Sequence, residues 1–274
     1  MTALDSPDGT MQQIVQRSAH VLLDFDGPVC SVFAGLPAPA IADMYRAALR
    51  RVPIKLPPEV QELNDPLEVF RRVADLDADA AETAQAILTK LETRAVRAAR
   101  PTAGAAELMA AAQATGRTLT IVSNNSSAAI AAYLGDHKLT RYVTGIVGRD
   151  DADPALMKPS PYRVRMAISQ LGADPGNAFL VGDSVTDVLA GRLAGVAVIG
   201  FANKPNKADL LADAGADAVT SRLADITAAL RVHQDRLHGR GAAKAGHDVN
   251  RPRRRANPPE HRSDIDDELV NRES

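Results

Sequence analysis

The chain is 274 residues long, 45% hydrophobic and 24% charged, with 32 Lys+Arg against 34 Asp+Glu. That balance belongs to a globular protein and excludes collagen-like, wholly disordered and membrane-spanning classes, since no apolar run nears the roughly 18 to 20 residues a spanning helix needs. A net charge of -2 and 3% aromatics, with no Trp, argue against a nucleic-acid surface, and the single Cys30 cannot form an internal disulfide, which suits a reducing cytoplasm.

In chain order, the first 19 residues are polar, lack a signal-peptide apolar region and read as an N-terminal extension. His20-Val21-Leu22-Leu23 is a short apolar run without alternation, the pattern of a strand covered on both faces. Asp24-Phe25-Asp26-Gly27 follows at its end. No strand pattern is visible between 31 and 100. Ile41, Met44, Tyr45, Ala48, Leu49 and Val52 make one helical face instead. Asp65-Pro66-Leu67-Glu68 has the form of a capping box, and Ala84, Ile87, Leu88, Leu91 and Ala95 make a further stripe. The segment predicts a helical insert of about 70 residues, enough for a small bundle.

Alternation of strand and helix resumes at 101. Thr102 is placed to cap a helix ending at Gly116, and Leu119-Thr120-Ile121-Val122 reads as a strand followed by Ser123-Asn124-Asn125. Lys158-Pro159 precedes a helix capped by Ser160 and closed near Gly172. Ala178-Phe179-Leu180-Val181 leads into Gly182-Asp183-Ser184-Val185-Thr186-Asp187, where Ser184 can cap the next helix. Val196 to Ile199 and Ala218 to Thr220 complete the strands. Residues 20–30 and 101–232 thus predict an α/β fold, a three-layer parallel sheet interrupted after its first strand by the helical insert. Residues 236–274 differ: 9 Lys+Arg, 7 Asp+Glu and five large aliphatic residues predict a disordered charged tail.

Four polar clusters therefore lie just beyond strand ends, where open parallel sheets gather their ligands. Asp24 and Asp26 offer a pair of carboxylates, one able to attack while the other handles protons. Asp183 from a neighbouring strand would complete an oxygen-only site suited to Mg²⁺, and that ion at a carboxylate cluster implies a phosphate ligand. Ser123 and the Asn124 amide can bind phosphoryl oxygens opposite the fixed charge of Lys158. The parts match phosphoryl transfer.

At these residues the sequence resembles the haloacid dehalogenase (HAD) superfamily, over roughly residues 18 to 232. Its DxDG motif corresponds to Asp24 through Gly27, its Ser at a strand end to Ser123, its Lys to Lys158, and its GDSxxD motif to Gly182 through Asp187. The resemblance implies a Rossmann-like core with a helical cap over 31–100, similar to phosphoglycolate-phosphatase-like enzymes. The 34 residues between Ser123 and Lys158 are too few for the larger cap found elsewhere in the superfamily. It also implies roles. Asp24 would be the nucleophile that forms an aspartyl-phosphate, and Asp26 the acid and then base. Asp24, the Asp26 carbonyl and Asp183 would bind Mg²⁺, with Asp187 supporting them from behind. The expected activity is a Mg²⁺-dependent phosphatase acting on a small phosphorylated metabolite. A sugar phosphomutase of the same superfamily and a non-catalytic phospho-ligand-binding protein remain as alternatives. Pro28, where many relatives carry Thr or Val, stiffens the turn after the motif. Asn203-Lys204-Pro205-Asn206-Lys207 reads as a polar loop with helix caps, and His20 and His137 as solvent-facing.

Overall fold

The computed structural model describes residues 7–232. In chain order these form α1 (Pro7–Arg17), β1 (His20–Leu23), β2 (Cys30–Ser31), α2 (Ala38–Leu49), α3 (Pro66–Ala74), α4 (Ala78–Ala95), β3 (Arg100–Pro101), α5 (Ala105–Ala114) and β4 (Thr118–Val122). Then come α6 (Ser127–Asp136), β5 (Gly145–Val147), α7 (Tyr162–Leu171), β6 (Ala178–Gly182), α8 (Val185–Leu193), β7 (Ala197–Phe201), α9 (Lys207–Asp213) and β8 (Ala218–Thr220). Residues 223–232 are again helical. No helix among the described residues is long and apolar enough to cross a membrane.

Six strands make one parallel sheet in the order β5-β4-β1-β6-β7-β8. The short apolar runs are strands because both faces are covered. Val21, Leu23, Ile121, Phe179, Val181 and Ile199 face a layer built from α1, α5, α6 and residues 223–232. Leu22, Val122, Leu180 and Val198 face the other layer, which is built from α7, α8 and α9. The three-layer α/β core expected from the sequence is present, and the five strand runs all lie in this sheet.

The helical insert has its own apolar centre, with Tyr45, Leu49, Phe70, Val73, Ala84 and Leu88 buried together. Asp65 caps α3 by accepting from the Leu67 amide at 2.8 Å, and Asp77 caps α4 through Ala80 at 2.7 Å. Two strands do occur at the borders of the insert, contrary to the helix-only reading. Cys30 pairs with Pro101 and Ser31 with Arg100 in a two-residue antiparallel ribbon, too short to leave a sequence pattern.

Other details also differ. The N-terminal extension contains α1, whose Met11, Ile14 and Val15 are buried at helical spacing. Arg117 donates to the carbonyls of Ser18 at 3.0 Å and Val15 at 3.1 Å, satisfying the end of that helix. The edge strand β5 leaves no clear pattern in the sequence, being three residues opened by a glycine. Gly104, with φ of 84°, stands at the start of α5 in place of Thr102, and Pro161 stands at the start of α7 in place of Ser160. His20 is half-buried, its Nδ1 lying 2.8 Å from Thr118 Oγ1 across β1 and β4, so it does not simply face solvent. The tail reading for 236–274 lies outside the described residues.

Candidate active site

Because β4, β1 and β6 are neighbours, their C-terminal ends deliver Ser123, Asp24 and Asp183 to one place. The ladder continues past the strands: the Asp24 amide donates to the Val181 carbonyl at 2.9 Å, and the Ser123 amide to Val147 at 3.1 Å. All seven residues expected at the site line one cleft of about 180 Å³, namely Asp24, Asp26, Ser123, Asn124, Lys158, Asp183 and Asp187. That is below the roughly 300–1,000 Å³ of drug-sized sites and suits a compact ligand. Phe33 and Leu67, from the segment that carries the insert, and Asn125 join the lining.

Lys158 is the hub. Its buried Nζ donates to Asp24 Oδ1 at 2.7 Å, to the Val122 carbonyl at 3.0 Å and to Asp187 Oδ1. Asn124 fixes the Lys158 backbone from both sides, accepting from its amide at 2.8 Å and donating to its carbonyl at 3.2 Å. Burial works against the Lys158 charge, but Asp187 and Asp24 outweigh it and strengthen its hold on the proton. The residue therefore stays an ammonium.

Each carboxylate has a distinct setting. Asp187 belongs to a capping box: its Oδ2 accepts from the Ser184 amide at 3.1 Å and from Ser184 Oγ at 2.6 Å. Gly182 allows that close approach, since a Cβ there would lie 2.3 Å from Asp187 Cβ. Asp183 Oδ2 accepts from Asn203 Nδ2 at 2.9 Å and from Lys207 Nζ at 2.5 Å. Asp26 Oδ1 accepts from the Val32 amide at 2.9 Å. Burial first, then the charge of Asp187, raises the Asp24 carboxyl above the usual range, with Lys158 pulling the other way. Burial likewise pushes Asp26 up to about 6, opposed by the Val32 amide. Cys30 is fully buried, and burial pushes its thiol up, so it packs and does not attack.

One oxygen each of Asp24, Asp183 and Asp187 lies within 4.8 Å of the others. With Asp26 beside them, four carboxylates face the ammonium groups of Lys158 and Lys207, and the charge of Lys204 also reaches Asp26. Hard oxygen donors in anionic excess fit a divalent cation such as Mg²⁺.

Comparison with known proteins agrees with this geometry. The family described as haloacid dehalogenase-like hydrolase matches residues 58–201, more than half of the chain. The chain belongs to the haloacid dehalogenase-like hydrolases. Among curated relatives of this HAD family, a phosphoglycolate phosphatase of Salmonella typhi is 28% identical over 131 residues, 47% of this chain and 51% of that one. A pyrophosphatase of Bacillus velezensis is 39% identical over 69 residues, 25% of this chain and 32% of that one. The chain thus matches about half the length, or less, of these relatives. A HAD family hydrolase of Deinococcus radiodurans, solved with bound phosphate and sodium, superposes with a TM-score of 0.53 at 24% identity, covering 80% of this chain and 97% of that one. That likeness establishes the fold.

Asn203 and Lys207 are the residues that sequence reasoning placed in a plain polar loop. Their partner Asp183 is about 20 residues back, and only the adjacency of β6 and β7 brings them together. No signal in the chain announces that contact.

Proposed function

We propose that this HAD protein is a Mg²⁺-dependent phosphatase that hydrolyses a small phosphorylated metabolite through an aspartyl-phosphate on Asp24. The observation that carries this reading is the shared cleft. A buried carboxylate, an ammonium that cannot leave it, and the phosphate-type donors Ser123 and Asn124 converge within it. Residues 31–100 act as a cap over a core of 20–30 and 101–232, and bring Phe33 and Leu67 to the leaving-group side. The names of the relatives, phosphoglycolate phosphatase and pyrophosphatase, support a compact phosphorylated substrate, as does the phosphate in the Deinococcus protein. The buried lone thiol is in keeping with a cytoplasmic setting.

In the proposed sequence Lys158 holds Asp24 Oδ1, and the second carboxylate oxygen attacks phosphorus. The bond from phosphorus to the ester oxygen breaks, and Asp26, a carboxyl with affinity for a proton up to about pH 6, protonates the departing alkoxide. Ser123 Oγ and the loop amides receive the phosphoryl oxygens, while Lys158 balances their charge. Asp26 then takes a proton from water, which attacks the acyl-phosphate and frees Asp24 and inorganic phosphate. Asp24, the Asp26 carbonyl and Asp183 would hold Mg²⁺, with Asp187 supporting; when bound, the ion offsets repulsion between nucleophile and substrate.

The test is turnover of an aryl phosphate with Mg²⁺, followed by a panel of phosphorylated metabolites. Release of inorganic phosphate, with acid-stable label on Asp24 after quenching, is expected. Return of phosphate to a sugar would identify a phosphomutase, and binding without turnover a ligand-binding protein.

A further inference from the structure

Outside the cleft lies an ion pair that the proposed chemistry does not use. Arg149 Nη2 stands 2.7 Å from Glu92 Oε2, with the two side chains 0% and 1% exposed. Burying two charges is costly, and an apolar pair would join two elements at least as well. The remaining contacts of the pair account for its placement. Glu92 lies in α4 of the insert, and Arg149 lies just past β5 of the core. The Ser126 amide donates to Glu92 Oε2 at 3.0 Å and Asn125 Nδ2 to Glu92 Oε1 at 3.3 Å. Arg149 Nε donates to the Asn124 carbonyl at 3.0 Å, and the Arg149 amide to the Asn125 carbonyl at 2.8 Å. Three consecutive residues are thus held from behind, one backbone group each. The front of the same loop supplies Ser123, Asn124 and Asn125 to the cleft and clamps the Lys158 backbone.

The insert grips this pair on two sides. Gln85 of α4 donates to the Arg149 carbonyl at 2.6 Å, and the guanidinium lies 5.0 Å over the ring of Phe70 in α3. Arg149 Nη1 is buried and has no hydrogen-bond partner among the described residues.

The geometry points to Glu92 and Arg149 as positioning residues that set loop 123–126 for phosphate and make its shape depend on where the insert sits. This rests on the phosphatase reading above. Donors stabilise a phosphoryl group best when fixed beforehand, and small displacements weaken them steeply. A loop of Ser and Asn residues at a strand end has ample freedom of its own. The pair removes that freedom, and because Glu92 rides on α4, an insert swung off the core would release the Ser126 amide and unpair Arg149.

Glu92→Gln keeps the shape and removes the charge. With Mg²⁺ present, the inhibition constant of inorganic phosphate and the KM for an aryl phosphate are expected to weaken by about tenfold or more. Arg149→Lys, which loses the planar fork, is expected to do the same. In a double variant, Glu92→Gln with Arg149→Met, the melting temperature recovers while phosphate binding does not. Phosphate and KM values within twofold of wild type in a Glu92→Gln protein that melts lower would reduce the pair to a structural joint and overturn the inference. Hydrogen exchange on the wild-type protein decides it if the variants do not fold: the Ser126 amide should exchange as slowly as the strands, and an exposed-loop rate overturns the idea. Wild-type protein that neither binds phosphate nor turns over any phosphate ester would instead sink the phosphatase reading, with the Ser126 exchange result standing apart.

Discussion

Gly27 and Asp183 meet so closely that a Cβ on Gly27 would lie 2.3 Å from Asp183 Cγ, and φ at Gly27 is +121°. The DxDG turn and the GDSxxD turn are therefore in steric register. Gly27→Ala is expected to strain the backbone and push the Asp183 carboxylate aside, lowering stability by about 1–3 kcal/mol. Activity should fall by more than that stability loss explains. Thermal melting together with Mg²⁺ titration checks this; a variant matching wild type in both would show that the two turns give way to each other easily.

Asp24→Asn should abolish turnover in a protein that stays folded. The amide matches the carboxylate in size but cannot form an acyl-phosphate, so kcat should drop by roughly a thousandfold or more. Lys158 keeps Asp187 and the Val122 carbonyl as partners, which preserves the fold. Residual activity within tenfold of wild type would take the nucleophile role from Asp24.

Exhaustive chelation should inactivate the enzyme, and Mg²⁺ should restore it. Asp183→Ala should weaken Mn²⁺ binding, measured directly by calorimetry, by about tenfold or more. Undiminished activity after chelation would reject the oxygen-ligand scheme.

Asp26→Asn should stabilise the metal-free protein at alkaline pH. The folded-state carboxyl titrates near 6 rather than at its unfolded value near 3.8, so folding favours the protonated form. The stability this confers is present below about pH 4 and is lost as pH rises through about 6. Asn does not titrate and still offers an oxygen to the Val32 amide. Its advantage over wild type should therefore grow between pH 4 and 6 and level off at about 3 kcal/mol. Melting curves across pH measure it; an advantage that shrinks with rising pH would mean the carboxylate is favourably solvated.

The parts of the site that could be read in the sequence are those whose meaning is local. Asp24-Phe25-Asp26-Gly27 closes an apolar run, Ser184 and Asp187 have capping-box spacing, and Lys158 stands three residues before Pro161 at the start of a helix. Parallel order then brings them together. Glu92 gave no such sign: within Lys90-Leu91-Glu92-Thr93-Arg94 it resembles any solvated helix charge, and its burial is settled by Arg149 some 57 positions on. Arg149, followed by Asp150 and Asp151, looks like part of an exposed loop. Helix α1 is not legible in the sequence because three apolar residues among polar ones bury a face only when Arg117 and the sheet are already there. Strand β5 takes its register from β4, through Thr120 opposite Gly145, and has little pattern of its own.

The central place of β1 bears on how the protein comes into being. His20 lies opposite Thr118 on one edge and Ala178 on the other, so β1 waits for partners roughly 100 and 160 residues further along the chain. During synthesis Asp24 leaves the ribosome early, yet Lys158 and Asp183 reach it only once most of the chain has been made. Contacts this distant make for slow assembly. They also mean that a nascent chain ending before Lys158 and Asp183 lacks two of the residues that line the finished cleft. The cleft is complete only once β6 has paired with β1 and carried Asp183 to the side of Asp24.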